Sequence, residues 1–253
     1  MNGADRPARD GGGEAPAGPR HAILFGGTGY VGQAVLRRLV ARGVRVTFTY
    51  RRKSSVARAL ADELGQPAVA VDLRAPAEIR ALLGGLLDAP GPPDLLIHCA
   101  TRGRPVDLPD VTDDLYEETQ AVNVRSAFVA CQMLLPRFAA RGGGDVVLLT
   151  YLDGARPTPM PAHFALTQTA VIGLAQGLAK EYGGRSVRIN AVQVGPLQDG
   201  VARDLPLPLL ADFERLSAIG RVGTAEEVAR AVAFVALENS YMTGQLFPVH
   251  GGL

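Results

Sequence analysis

The sequence lacks several features that would assign it to other classes of protein. Its net charge of +1 excludes the strong positive field typical of proteins that bind nucleic acids or anionic membranes. No apolar run is long enough to cross a bilayer, so we expect no membrane-spanning segment. The only cysteines, Cys99 and Cys131, lie in apolar segments, which suits a reducing, cytoplasmic location better than a disulfide framework. We predict no metal site.

The N-terminal twenty residues lack an apolar segment and consist largely of glycine, proline, alanine, arginine and aspartate. This composition predicts a disordered tail over residues 1–20 rather than a signal peptide. Apolar residues make up 47% of the chain, which is ample for one core. We therefore interpret residues 21–253 as a single domain.

A glycine-rich loop between an apolar strand and a helix is the strongest motif present. Residues 22–25 are apolar, residues 26–32 read GGTGYVG, and residues 30–42 have helical apolar spacing. Gly26 permits a sharp turn, Gly29 lets the backbone approach a pyrophosphate, and Gly32 lets the helix pack against the strand. The loop and the helix N-terminus predict a dinucleotide site formed by Gly26, Thr28, Gly29, Tyr30, Val31 and Gly32.

The end of the next predicted strand, residues 44–50, indicates which dinucleotide binds. Proteins that prefer NAD(H) carry an acidic residue there, which binds the ribose hydroxyls. This sequence has Arg51, Arg52 and Lys53 instead, and no acidic residue before Asp62. Cationic side chains favour the 2′-phosphate, so we predict NADP(H); a solvated basic turn is the alternative.

Strand-like and helical segments alternate along the remaining chain. Further strands are predicted at residues 68–71, 94–99, 145–149, 187–194 and 246–249. Further helices are predicted at residues 55–64, 77–87, 111–138 and 162–182, and from a capping box at Thr224 and Glu227 to residue 237. This alternation predicts an α/β protein, a single-domain Rossmann fold with a doubly wound parallel sheet. Residues 198–210 contain LPLPLL, an apolar segment that we expect to cover a site.

The chain resembles the short-chain dehydrogenase/reductase family over residues 22–253. The similarity is greatest over residues 219–253, IGRVGTAEEVARAVAFVALENSYMTGQLFPVHGGL, and it includes AVNVRSAF around Asn123 and VDL around Asp72. The resemblance implies an NAD(P)-dependent oxidoreductase that assembles as a dimer or tetramer. It also implies cofactor contacts at Asp72, Leu73, Ala100, Gly195, Pro196 and Leu197.

The sequence departs from this family at the active site. The family uses a tetrad of Asn, Ser, Tyr and Lys, of which Asn123 is retained. The serine position holds Tyr151, and the tyrosine and lysine positions hold Phe164 and Gln168. Phe164 has no proton to donate, while Gln168 keeps the capacity to hydrogen-bond to the nicotinamide ribose. General acid catalysis, worth roughly 10²- to 10⁴-fold, is therefore missing or relocated.

Two sources of the missing proton are open. Tyr151 is the stronger enzymic candidate, with Asn123 as a second catalytic residue, and His163 is a weaker candidate. Alternatively, a hydroxyl beside the substrate carbonyl neutralises the oxyanion, as the hydroxyketones of aromatic polyketides allow. We predict a pocket for a flat aromatic small molecule at Thr101, Tyr151, Phe164 and Leu205.

The favoured interpretation is an NADPH-dependent ketoreductase of antibiotic-type polyketide metabolism. The alternative is a non-redox cyclase or isomerase, or an NADP-binding pseudoenzyme. The absence of the tyrosine and lysine favours this alternative, whereas the intact nucleotide-binding half favours the reductase.

Overall fold

Seven parallel strands form a single sheet in the computed structural model, which describes residues 20–151, 160–200 and 207–253. The strands are His21–Phe25 (β1), Arg45–Tyr50 (β2), Ala68–Ala70 (β3), Leu95–His98 (β4), Gly144–Tyr151 (β5), Val187–Val194 (β6) and Leu246–Val249 (β7). Their order is β3-β2-β1-β4-β5-β6-β7, and every pairing is parallel. The predicted Rossmann fold with a doubly wound sheet is confirmed.

Helices cover both faces of this sheet. They are Tyr30–Val40 (α1), Ser54–Leu64 (α2), Pro76–Asp88 (α3), Asp113–Gln120 (α4), Ser126–Ala140 (α5), Ala162–Tyr182 (α6), Leu207–Leu216 (α7) and Ala225–Leu237 (α8). One apolar core lies under α1, α2 and α8, and the other lies under α3, α5 and α6. Within the described ranges, no helix combines the length and apolarity needed to cross a membrane.

The predicted helix at residues 111–138 is divided by a π-helical turn at Ala121–Arg125. Asn123 lies in this turn, and its side chain bonds to Thr167 on α6 and to the backbone of Arg102. A π turn accommodates an extra residue within a helix and commonly occurs near functional sites. The helical periodicity of the sequence does not reveal it, because the hydrogen-bond partners of Asn123 come from other elements.

The reversal of strand order at β1 positions the site. β1 pairs with β2 on one side and with β4 on the other, so the connections after β1 and β4 diverge to opposite faces of the sheet. Open α/β sheets bind ligands in the crevice at the carboxyl ends of the strands flanking such a point. The predicted glycine loop follows β1 at this crevice.

The predicted tail, residues 1–20, includes one residue that the structure describes, Arg20, and this residue is part of the fold. Residues 1–19 lie outside the described residues. Arg20 Nε donates to Asp94 Oδ2 at 2.9 Å, and its Nη2 donates to Asp145 Oδ2 at 2.8 Å. The Asp145 side chain is only 3% exposed and also binds Arg188 Nε at 2.7 Å. A buried carboxylate requires such partners, so Arg20 belongs to the folded domain.

We expect deletion of residues 1–19 to leave the free energy of unfolding unchanged, and Arg20→Ala to lower it by about 2–4 kcal/mol. The loss arises because Asp145 stays buried with one of its two arginine partners removed. Urea denaturation of both proteins measures the difference. Arg42→Ala is the matched control: Arg42 pairs with Glu238 on the surface, where an ion pair contributes about 1 kcal/mol or less. Equal losses in the two variants would contradict the prediction.

Candidate functional site

A cavity of about 680 Å³ lies along the carboxyl ends of the central strands. It contains most of the predicted site residues: Gly26, Thr28, Gly29, Tyr30, Val31, Gly32, Arg51, Arg52, Lys53, Asp72, Leu73, Ala100, Thr101, Tyr151, Phe164, Gly195, Pro196 and Leu197. Of the other predicted residues, Asn123 and Gln168 do not line it, and Leu205 lies outside the described residues. The fold thus brings residues from the whole length of the domain to one cavity.

The glycine loop forms one wall of this cavity. Gly26 has a φ of +84°, and a Cβ there would lie 2.8 Å from the backbone nitrogen of Ala100. A Cβ on Gly32 would collide with the carbonyl oxygen of Gly26. Gly29 caps α1 without a side-chain acceptor, and the first turn of α1 has no acidic residue. The exposed N–H groups and the close backbone approach fit a pyrophosphate.

Cationic side chains surround the end of β2. Arg51 Nη1 donates to Glu118 Oε1 at 3.3 Å. The side chains of Arg52 and Lys53 line the cavity and make no hydrogen bond or ion pair with any other described residue. They are free to bind an anionic ligand.

Glu118, on α4, forms ion pairs with three arginines, each of which follows a different strand. Its carboxylate lies 3.3 Å from Arg51 Nη1, 3.6 Å from Arg74 Nη1 and 3.4 Å from Arg102 Nε. Burial alone would raise the pKa of Glu118, but the three arginines outweigh it and lower the pKa below its usual value. Hydrogen bonds from Arg74 likewise lower the pKa of Asp72 to about 2. Sequence reasoning missed this cluster because its members lie on separate elements.

The other end of the cavity is apolar and contains Tyr151. This residue ends β5, and its ring centroid lies 6.3 Å from that of Phe164. Burial, with a smaller contribution from the neighbouring Cys99 thiol, raises the pKa of Tyr151 above its ordinary value. The phenol is therefore neutral at physiological pH. Met160 and Phe213 also line this end, and sequence reasoning identified neither.

Gln168, which is predicted to hydrogen-bond to the nicotinamide ribose, uses its side chain within the protein. The Gln168 side chain is buried, and its Oε1 accepts a hydrogen bond from the backbone nitrogen of Tyr151 at 2.9 Å. Its Nε2 donates to Thr167 Oγ1 at 3.0 Å. Because both ends of the carboxamide are engaged internally, Gln168 positions the end of β5 instead of reaching the cavity.

The side chain of Asn123, a predicted catalytic residue, makes hydrogen bonds within the protein. Its Nδ2 donates to Thr167 Oγ1 and to Arg102 O, both at 2.9 Å, and its Oδ1 accepts from Arg102 N at 2.7 Å. These bonds fix the loop after β4. The same loop lies against Phe164, because a Cβ on Gly103 would be 2.9 Å from Phe164 Cδ2. The buried amide of Asn123 thus holds the loop beside the substrate end of the cavity.

His163 does not face the cavity. It is 2% exposed, and neither ring nitrogen has a hydrogen-bond partner among the described residues. Burial lowers its pKa, which favours the neutral imidazole. Its position does not fit the role of the missing acid.

Comparisons with known proteins give consistent matches over this fold. The family model described as Enoyl-(Acyl carrier protein) reductase matches residues 29–253. The cyclic-di-GMP-binding biofilm dispersal mediator protein of Escherichia coli (strain K12) is 31% identical over 231 residues, covering 90% of this chain and 94% of that protein. A short-chain dehydrogenase/reductase structure from Serratia marcescens BCRC 10948 is 29% identical with a TM-score of 0.84, covering 94% of this chain and 99% of that one. The structure of BdcA in complex with NADPH is 28% identical with a TM-score of 0.83, covering 92% and 94% respectively.

Proposed function

Because the chain belongs to the short-chain dehydrogenase/reductase family, we propose that it is an NADPH-dependent ketoreductase acting on an aromatic hydroxyketone. The observation that carries the proposal is a single cavity with a cationic nucleotide end and an apolar end. Such a cavity has room for a dinucleotide beside a flat apolar ligand, which supports the proposal. Bound NADPH would supply the hydride, and the protein would orient the two reactants.

The nucleotide end supports NADPH as the cofactor. The glycine loop and the N-terminus of α1 suit the pyrophosphate, and the free side chains of Arg52 and Lys53 suit the 2′-phosphate. BdcA, a structural relative, binds NADPH. We propose that the present chain binds the same cofactor.

The apolar end supports an aromatic substrate that supplies its own proton. Phe164, Met160 and Phe213 give it apolar surface, and Phe164 has no transferable proton. A ketone with a neighbouring phenolic or enolic hydroxyl carries an internal hydrogen bond. On reduction, that hydroxyl would give its proton to the carbonyl oxygen, and solvent would reprotonate the resulting phenolate or enolate. Water is the second possible source of the proton. In lacking the family's tyrosine and lysine, the chain resembles the angucyclinone ketoreductase of the simocyclinone pathway, whose substrate is an aromatic polyketide.

Assembly and location are part of the same proposal. Phe128 on α5 and Leu166 on α6 are large apolar residues that are 49% and 42% exposed in the isolated chain. They support a homodimer or homotetramer, as the family resemblance implies. We propose a cytoplasmic location because both cysteines are buried free thiols.

The proposed function is tested by following NADPH absorbance with a panel of aromatic hydroxyketones and identifying the products by mass spectrometry. We expect NADPH consumption that matches formation of an alcohol two hydrogens heavier than the ketone. An isomerised or cyclised product without NADPH consumption would establish the non-redox alternative. Tight NADPH binding without any product across the panel would favour a pseudoenzyme.

Replacing both Arg51 and Arg52 with alanine is expected to weaken NADPH binding by about tenfold or more, because each removes a charge-assisted contact to the 2′-phosphate. NADH binding should stay within about twofold, since NADH lacks that phosphate. Fluorescence titration measures both. Arg38→Ala removes an exposed positive charge on α1, outside the cavity lining, and controls for net charge. Equal NADPH and NADH affinities in the unmodified protein would contradict the prediction.

Tyr151→Phe is expected to lower hydroxyketone turnover by less than about tenfold, since the substrate supplies the proton that an enzymic acid would otherwise deliver. The raised pKa of Tyr151 also predicts a reduction rate without a tyrosine ionisation between about pH 6 and 10. Steady-state kinetics across that range test both statements. A hundredfold fall in kcat would instead assign the proton to Tyr151.

A further inference from the structure

Arg102, on the loop after β4, lines the cavity and shares an ion-pair partner with Arg51. Its Nε lies 3.4 Å from Glu118 Oε2, while Arg51 Nη1 lies 3.3 Å from Oε1 of the same carboxylate. Both arginines line the cavity. Two guanidinium groups that reach the two oxygens of one carboxylate are close enough for one phosphate group to bridge them.

The Arg102 guanidinium has unused donors. None of its N–H groups makes a hydrogen bond with another described residue, and its Nε is buried without a hydrogen-bond partner in spite of the ion pair with Glu118. An unpaired buried donor is unfavourable, so an acceptor supplied by a ligand would be stabilising. Glu118 alone does not satisfy this side chain.

The backbone of Arg102 is held in place before any ligand binds. Asn123 accepts a hydrogen bond from Arg102 N at 2.7 Å and donates one to Arg102 O at 2.9 Å. Asn123 is 3% exposed and is itself fixed by its bond to Thr167. A side chain on a fixed backbone loses less entropy when it binds, which favours affinity.

The charge around Glu118 also favours a doubly charged anion. Arg51, Arg74 and Arg102 form ion pairs with Glu118, and Arg74 also pairs with Asp72. With Arg52 and Lys53, which follow Arg51 in the cavity lining, these five cations exceed the two carboxylates by three positive charges. A phosphate monoester carries about 1.5 to 2 negative charges at neutral pH. The excess matches this ligand better than it matches an uncharged ribose hydroxyl.

We propose that Arg102 binds the 2′-phosphate of NADPH together with Arg51, with Glu118 holding the two guanidinium groups side by side. The inference rests on the proposed function for the identity of the nucleotide. In this proposal, the preference for NADPH depends on a residue of the loop after β4 as well as on the basic segment that follows β2.

The test uses nucleotide fragments, so that it requires neither turnover nor the nicotinamide ring. Isothermal titration calorimetry compares 2′,5′-ADP with 5′-AMP on the unmodified protein, Arg102→Ala, Arg102→Lys and Arg38→Ala. Arg38 is the control for loss of one positive charge, because it is exposed on α1 and does not line the cavity. We expect Arg102→Ala to weaken 2′,5′-ADP binding by about tenfold and to leave 5′-AMP within about twofold. Arg102→Lys should recover part of the loss, and Arg38→Ala should bind as the unmodified protein does.

Two results in the Arg102→Ala variant would overturn the inference. Unchanged 2′,5′-ADP binding would show that Arg102 is not a ligand of the phosphate. Equal losses for both fragments would show that Arg102 only supports the loop. Failure of the proposed NADPH preference has a different signature: the unmodified protein would bind 5′-AMP as tightly as 2′,5′-ADP, and the inference would fall with it.

Discussion

Reduction of an aromatic hydroxyketone by this protein is expected to fall by about a hundredfold or more when the neighbouring hydroxyl is methylated, which is the usual contribution of an acid catalyst. Phe164, at the family's tyrosine position, has no proton to donate. Methylation removes the internal hydrogen bond of the substrate and the hydroxyl that would neutralise the oxyanion. Turnover of the hydroxyketone and its methyl ether, measured under saturating NADPH, gives the comparison.

Binding must be separated from chemistry in this experiment. The ether is larger by one methyl group, so its dissociation constant is measured by its displacement of a bound product or by changes in Tyr fluorescence. A loss confined to kcat supports substrate assistance, whereas a loss confined to KM indicates a steric effect. Undiminished reduction of the ether would disprove substrate assistance. Tyr151, which lines the cavity, would then be the candidate proton donor.

The architecture was largely predictable because apolar periodicity and capping residues report local structure. Helix α6 and strands β6 and β7 have the predicted bounds. The capping box of α8 is present, with Thr224 N donating to Glu227 Oε2 at 2.9 Å and Glu227 N donating to Thr224 Oγ1 at 3.3 Å. Gly65 closes α2 in the left-handed conformation that is typical of a glycine C-cap. Each of these features depends on residues close together in the chain.

The features that sequence reasoning missed depend on distant partners. The spacing of Phe164 and Gln168 placed them on one face of a helix, but it could not show that Gln168 bonds to the backbone nitrogen of Tyr151. The convergence of Arg102 and Arg51 on Glu118 likewise requires the fold. Helix α7 was expected only as an apolar covering segment, because its prolines obscure the helical pattern.

The second large effect concerns α6. Restoring the family's residues with Phe164→Tyr and Gln168→Lys is expected not to raise turnover on the natural hydroxyketone, and to lower the free energy of unfolding by about 2 kcal/mol or more. Gln168→Lys removes the acceptor of the Tyr151 N–H and replaces a buried amide with an ammonium group. An unpaired charge in such a position is unfavourable by several kcal/mol unless it reaches solvent or a ligand. Thermal and urea denaturation measure this loss.

The kinetic part of the prediction follows from the substrate's internal hydrogen bond. A phenol at position 164 would compete for the carbonyl oxygen with the substrate's own hydroxyl, or remain unpaired against an apolar ligand at a cost of about 1–3 kcal/mol. The Phe164 ring lies close to Gly103, since a Cβ there would be 2.9 Å from Phe164 Cδ2, so a larger side chain at position 164 has little room beside the loop after β4. Phe164→Tyr alone is the control that separates this effect from the buried lysine. A stable double variant that reduces the methyl ether as fast as the hydroxyketone would contradict the argument, because it would show that the cavity still accommodates the family's acid.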